Sequence, residues 1–316
     1  MQTFLAKRLA TFAITLAAAA VVIFVVLEIL PGNAAQVIMG PEATPETVAA
    51  LAHKLGLDQP PATRFVEWIA GMLHGDFGVS YAYGTPVADL VGGALAVTLP
   101  LAALAMLLNV VLGLALGTFA ATHRNRLGDV AVMGLSQIGI AVPSFWFAIL
   151  LILLFAVRLG WFPAGGFPGW DEGAGAALKS LMLPAVSLAA VQAAVLARTT
   201  RAAILEVARE DFVRTARAKG LSRRGALWHH VLRNAMIPIV TIMGLQLSNL
   251  IVLTIVIENV FYLPGLGQLI FHAIANRDVI VVRDTVMLLV AVVLVVNFAV
   301  DLLYAAIDPR LKASDI

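Results

Sequence analysis

Apolar residues do not alternate with polar ones along most of this chain. They run together in blocks, separated by short charged stretches or stretches rich in glycine and proline. A bilayer's hydrocarbon, about 30 Å thick, is crossed by roughly 20 apolar residues rising about 1.5 Å each. Six blocks reach that length, running from about Leu9 to Leu30, Val97 to Ala121, Val130 to Val157, Ser180 to Ala197, Ala235 to Ile257 and Val286 to Ile307. The pattern predicts an all-α integral membrane protein with six transmembrane helices. Pro143, Pro184 and Pro238 fall inside the third, fourth and fifth blocks, and each predicts a local break answered by packing or water. The first block follows Lys7 and Arg8 as a secretory leader would. At about 22 residues it is longer than a leader's apolar stretch, and PGNAAQ is a poor cleavage site, so it is read as a membrane helix.

Between the first two spans, residues 31–96 turn polar. TPETVAALAHKLG predicts a helix with Thr44 as N-cap, Pro45 in the first turn and Gly56 past the end, its apolar face made by Val48, Leu51, Ala52 and Leu55. ATRFVEWIAGMLHG predicts a second, with Phe65, Trp68, Ile69 and Met72 at helical spacing and Trp68 suited to a membrane interface. The two helices either cap the bundle or offer a docking surface to an external partner. GDFGVSYAYGTPV has no helical period and reads as loop. The chain thus divides into residues 1–30 (N-terminus and first span), the helical insertion 31–96, a five-helix core 97–307 and a tail 308–316.

Composition sharpens the picture. A mean hydropathy of +0.94, with 61% hydrophobic and 13% charged residues, excludes a soluble globule. Six spans put both ends on one side. That side carries Lys7, Arg8, Arg124, Arg126, nine basic residues from Arg198 to Arg233, Arg310 and Lys312, against six on the other: Lys54, Arg64, Arg158, Lys179, Arg277 and Arg283. The asymmetry predicts cytoplasmic termini, and it explains a sequence pI near 9.1 without nucleic acid as a partner. With no cysteine, thiol chemistry and thiolate metal sites are excluded.

Nine of 21 basic residues fall in the 36 positions from Arg198 to Arg233, the densest such run in the chain, and six of them lie in EDFVRTARAKGLSRRGALWHHVLRN. Glu206, Glu210 and Asp211 precede Arg214, Arg217 and Lys219, the order a helix dipole favours, and Glu210 is spaced to pair with Arg214. Gly220 fits a left-handed helix end, and Ser222 fits the cap of a second short helix through RRGALWHHVL. Anionic lipid alone accounts for the arginines. It does not account for Ala216, Ala218 and Leu221 around Gly220, which suit close approach by another protein. The segment 206–233 is therefore read as a stiff lever joining a cytoplasmic partner to spans four and five.

DFVRTARAKGLS followed by LRNAMIP resembles the cytoplasmic signature loop of bacterial ABC-importer permeases, in the variant of the dipeptide, oligopeptide and nickel permease family. LGLDQP, GDFGVSY, PSFWFAILLILLFAVRLGWFPAGG, VIENVFYLPGLG and DPRLK resemble further blocks of that family in order. The resemblance implies a type I importer permease, working with a sister permease subunit, two ATPase subunits, an extracytoplasmic solute-binding protein and membrane lipid. It places Asp211, Arg214, Thr215, Ala216, Arg217, Lys219, Gly220, Leu221 and Ser222 against the ATPase. ATP and Mg would be bound by those partners, with no cofactor in this chain, which lacks G-x-x-x-x-G-K-[ST]. Dipeptides or oligopeptides are the expected solutes, with nickel chelates or glutathione as alternatives.

Polar residues inside spans face the bundle or water. Ser136, Gln137, Gln192, Gln246, Ser248 and Asn249 are of this kind, each readable as interhelical bonding or as lining of the solute path; Gln137, Gln246 and Asn249 are the path candidates. Glu258 precedes NVFYLPGLGQL, where Phe261, Tyr262, Pro264, Gly265 and Gly267 suit an outer gate folded over the passage. Glu28 is expected to reach the interface, and Asp284 and Asp301 to partner nearby basic groups. A proton-coupled transporter would need an acid deep in a span, and Asp301 is the sole candidate. The histidines form no H-E-x-x-H and the serines no G-x-S-x-G, which leaves an enzyme no footing.

Overall fold

The computed structural model describes residues 2–29, 34–40, 43–54 and 56–307. The expected positions Leu30, Leu55, Arg310 and Lys312, and the tail 308–316, lie outside the described residues. Helices follow one another as α1 (Gln2–Ile29), α2 (Ala34–Met39), α3 (Pro45–Lys54), α4 (Pro61–Leu73), α5 (Val87–Thr122), α6 (Leu127–Ala141), α7 (Ser144–Leu151), α8 (Ala174–Val207), α9 (Asp211–Ala218), α10 (Arg223–Ala226), α11 (Leu232–Val260), α12 (Leu266–Ala275) and α13 (Val279–Ile307). Two π-helical stretches, Ile152–Arg158 and Leu227–Val231, extend α7 and join α10 to α11. Among the described residues five helices are long and apolar enough to cross a membrane, and α6 with the α7 extension makes a sixth, bent by 104°.

Of the prolines expected to break spans, one does. Val142 and Pro143 are extended, with ψ of 123° and 136°, and the chain leaves the helix there. Pro184 and Pro238 lie within continuous α8 and α11, as Pro100 does within α5. Pro184 sits in a buried run with Leu183 and Ala185, where packing on all sides holds the helix despite the missing N–H.

The chain forms two compact units, residues 1–97 with 264–295, and 98–263 with 296–316. Residues 264–295 thus group with the N-terminal region and not with the core assigned from sequence. In the first unit Thr44 caps α3, its Oγ1 accepting from the Thr47 N–H at 3.4 Å, and Gly56 ends it with a φ of +67°. The expected apolar face of α4 lies inside the fold: Phe65, Trp68, Ile69 and Met72 pack on Leu16, Ala20, Ile23 and Phe24 of α1 and on Met287. Trp68 is therefore buried within the protein. Its indole N–H donates to Asp284 Oδ1 at 2.5 Å, and Arg283 lies 4.7 Å over its ring. Glu28, exposed near the end of α1, accepts a hydrogen bond from Arg64. Asp278 gathers the loop after α4, accepting from Ser80 Oγ at 2.6 Å and the Ala82 N–H at 3.0 Å.

In the second unit α8 is central, packing against α6, α7 and α11, with most of its apolar stretch buried. Gly113 and Gly117 on α5 form a G-x-x-x-G step against it. A methyl group at Gly117 would sit 2.6 Å from the Ala197 carbonyl oxygen, and one at Gly113 2.7 Å from Leu196 Cβ. Polar bonds join α11 to α5, α8 and α13: Asn109 Nδ2 donates to Gln246 Oε1 at 2.9 Å, Gln246 Nε2 to the Gln192 carbonyl at 2.8 Å, and Ser248 Oγ to Asn297 Oδ1 at 2.6 Å.

Candidate functional site

The basic segment folds as an elbow. The α8 helix carries Glu206 in its last turn and stops at Val207, and the turn Ala208–Glu210 closes with the Glu210 N–H on the Val207 carbonyl at 3.1 Å. Glu206 therefore ends one helix instead of starting the next. Glu210 is extended, with ψ of 146°, and sits at the N-cap of α9; Arg214 lies 3.5 Å from Asp211 and not on Glu210. Both charges are largely exposed, so this pair contributes about 0–1 kcal/mol and does not hold the elbow.

The end of α9 holds it. The Gly220 N–H donates to the Arg217 carbonyl at 3.0 Å and the Leu221 N–H to the Ala216 carbonyl at 3.2 Å, a Schellman motif with Gly220 at φ +96°. Ser222 then caps the following helix, its Oγ accepting from the Gly225 N–H at 3.1 Å. The expected short second helix is no separate element. Through the π-helical turn it runs into α11 as one 38-residue helix, Arg223–Val260, so the elbow is built directly onto span five. Neither the π turn nor this continuity has a signal in residue periodicity.

Burial shows how the elbow is seated. Val213 is 3% exposed and joins Ala203 and Ile204 of α8, and Ala226, Val231, Ala235 and Ile239, in one buried cluster. The opposite face is open: Asp211, Arg214, Thr215, Arg217, Lys219, Gly220, Leu221 and Ser222 are exposed and Ala216 half-buried. Phe212 and Trp228 join them at 45% and 58% exposure, two aromatic positions that the sequence reading passed over. The elbow thus holds an apolar spine inward and a basic, partly aromatic face outward.

The expected path and gate residues separate. Gln137 and Asn249 are exposed on α6 and α11. Gln246 is 3% exposed with its amide engaged by Asn109 and Gln192, so it bonds helices together and does not line a passage. Glu258 is fully buried, accepting from Thr98 Oγ1 at 2.6 Å. Phe261 is buried too, its carbonyl accepting from the Gly166 N–H at 2.8 Å, so it does not fold over an opening. Tyr262 alone of these three projects, at 75% exposure and with a left-handed φ of +52°. In the other unit Pro264 is exposed, while Gly265 and Gly267 are buried at the start of α12. Among the described residues no group of three or more His, Asp or Glu side chains is arranged to hold a metal ion.

Comparison with known proteins adds four findings. The family profile described as "Binding-protein-dependent transport system inner membrane component" matches residues 113–313, and "Binding-prot-dependent transport system membrane comp, N-term" matches residues 1–102. A peptide transport system permease protein of Brucella abortus is 40% identical over 99% of both chains. The glutathione transport system permease protein GsiC of Escherichia coli is likewise 40% identical over 99% of both. The inward-facing MetNI methionine ABC transporter superposes with a TM-score of 0.58 at 20% identity, covering 69% of this chain and 96% of that one, a likeness of fold.

Proposed function

Since the chain belongs to the inner membrane components of binding-protein-dependent transport systems, we propose that it forms the passage for short peptides in an ATP-driven importer. It is the permease subunit of an ABC transporter. The nucleotide work belongs to two cytoplasmic ATPase subunits, and a sister permease completes the passage. An extracytoplasmic binding protein selects the solute and delivers it. Both termini and the elbow then lie in the cytoplasm, a placement the charge asymmetry supports.

The observation that carries this reading is the elbow itself: α9 is clamped to α8 through Val213 and ends in a Schellman turn, and the helix after that turn, Arg223–Val260, runs through span five without a break. Seated in a groove of an ATPase subunit, such an element converts closure of the ATPase pair into displacement of spans four and five, alternating access to the passage. Gly220 is its hinge point. A side chain there meets open space within this chain but requires a left-handed backbone, at roughly 1–2 kcal/mol, and stands between the elbow and its partner.

The test is ATP-driven peptide uptake by the reconstituted complex, together with recovery of the ATPase subunits on the purified permease. Gly220→Val should insert normally yet lose uptake. Normal uptake and normal ATPase recovery in that variant remove the lever. Uptake that follows a proton gradient without ATP removes the importer reading. Glutathione is the second reading, favoured by the 40% identity to GsiC. Competition between labelled dipeptide and glutathione for the cognate binding protein decides between them.

A further inference from the structure

We infer that Asp129 and Arg201 form the strut carrying the elbow's movement into the bent helix pair, which makes both positioning residues for transport. This inference rests on the coupling reading above. Arg201 Nε donates to Asp129 Oδ1 at 2.6 Å and Nη2 to Oδ2 at 2.7 Å, a two-point bond between residues 72 positions apart. The Asn125 N–H donates to the same Oδ2 at 2.9 Å, from a residue with a φ of +61°. Asp129 is 3% exposed.

Stability alone does not explain such a pair. Asp129 is buried while the Arg201 side chain keeps 25% of its surface exposed, and taking the carboxylate out of water cancels much of the pair's attraction. What the ion pair provides is direction. Apolar contacts between helices slide, whereas a guanidinium fork on a carboxylate fixes both distance and angle. Its placement matches that use. Arg201 precedes Ala203 and Ile204, which share the buried cluster of Val213 on α9. Thr200, on its other side, is pressed against Gly117 of α5. Asp129 stands in the first turn of α6, whose far end is the 104° bend into α7 and whose exposed face carries Gln137. Movement delivered to the end of α8 thus reaches α6 through one rigid bond.

The test uses the complete complex, with ATPase subunits and binding protein, in proteoliposomes. Asp129→Asn removes the charge, and Arg201→Lys keeps the charge but loses the fork. Both should retain subunit association and basal ATP hydrolysis, while solute taken up per ATP falls about 5- to 150-fold, the span of a typical coupling energy. Wild-type uptake per ATP in both variants overturns the strut. So does a parallel loss of assembly, hydrolysis and uptake in both, which makes the pair a folding element. A wild-type complex that takes up solute without hydrolysing ATP overturns the coupling reading itself, and that result is distinguishable from the other two.

Discussion

Replacing Gly117 with alanine places a methyl carbon 2.6 Å from the Ala197 carbonyl oxygen and 2.6 Å from Thr200 Cβ, both on α8. Carbon contacts settle at about 3.5–4.0 Å, so α5 and α8 must separate by about 1 Å at this step. The carbonyl is backbone and no rotamer relieves the contact, which puts the overpacking cost at about 1–3 kcal/mol. Gly134 is the control, since a methyl group there meets nothing within 4 Å. Both substitutions gain the same helix propensity, up to about 1 kcal/mol, so the difference between the variants isolates the packing cost. Heat-induced loss of the folded, detergent-solubilised complex, followed by size-exclusion chromatography, should rank Gly117→Ala below wild type and Gly134→Ala at or above it. Equal midpoints for the two variants would refute close α5–α8 packing as the reason for glycine at position 117.

Two further outcomes follow from the same geometry. Ser222→Ala removes the acceptor that holds the Gly225 N–H at 3.1 Å and should weaken the start of the Arg223–Val260 helix by about 0.5–2 kcal/mol; hydrogen exchange at Gly225 should speed up, while Ser222→Asp retains protection. Gln246→Leu leaves the Asn109 amide only the weak Met106 sulfur acceptor at 3.6 Å and should lower thermal stability by about 1–3 kcal/mol, with the KM for solute unchanged; an altered KM at wild-type stability would return Gln246 to the passage.

What the sequence made legible was whatever depends on length and local spacing. Six spans follow from block lengths, the Thr44 cap and the left-handed Gly220 from local backbone chemistry, and the membrane class from hydropathy. What it hid depends on partners far along the chain. Asp129 and Arg201 are 72 residues apart, Trp68 and Asp284 216, and no period links either pair. Gln246 and Asn249 looked alike as polar positions one turn apart, yet one is buried between helices and the other exposed, because α11 turns only one of them toward α5 and α8. Proline misled for a related reason: Pro184 lies in a helix packed on all sides, whereas the chain turns at Pro143. The Gly113–Gly117 step, which marks the α5–α8 contact, went unread although its G-x-x-x-G spacing is the signal that could have found it.

Coupling by this lever requires the elbow to meet an ATPase subunit. The direct measurement is site-specific photo-crosslinking in intact membranes, from a photoreactive residue placed at Leu221 on the open face, with the same residue at Leu135 on the exposed face of α6 as control. The account predicts an adduct from Leu221 to the nucleotide-hydrolysing subunit, altered in yield when ATP is bound, and none from Leu135 to that subunit. Adducts from Leu221 to lipid alone, in a complex that transports normally, contradict it.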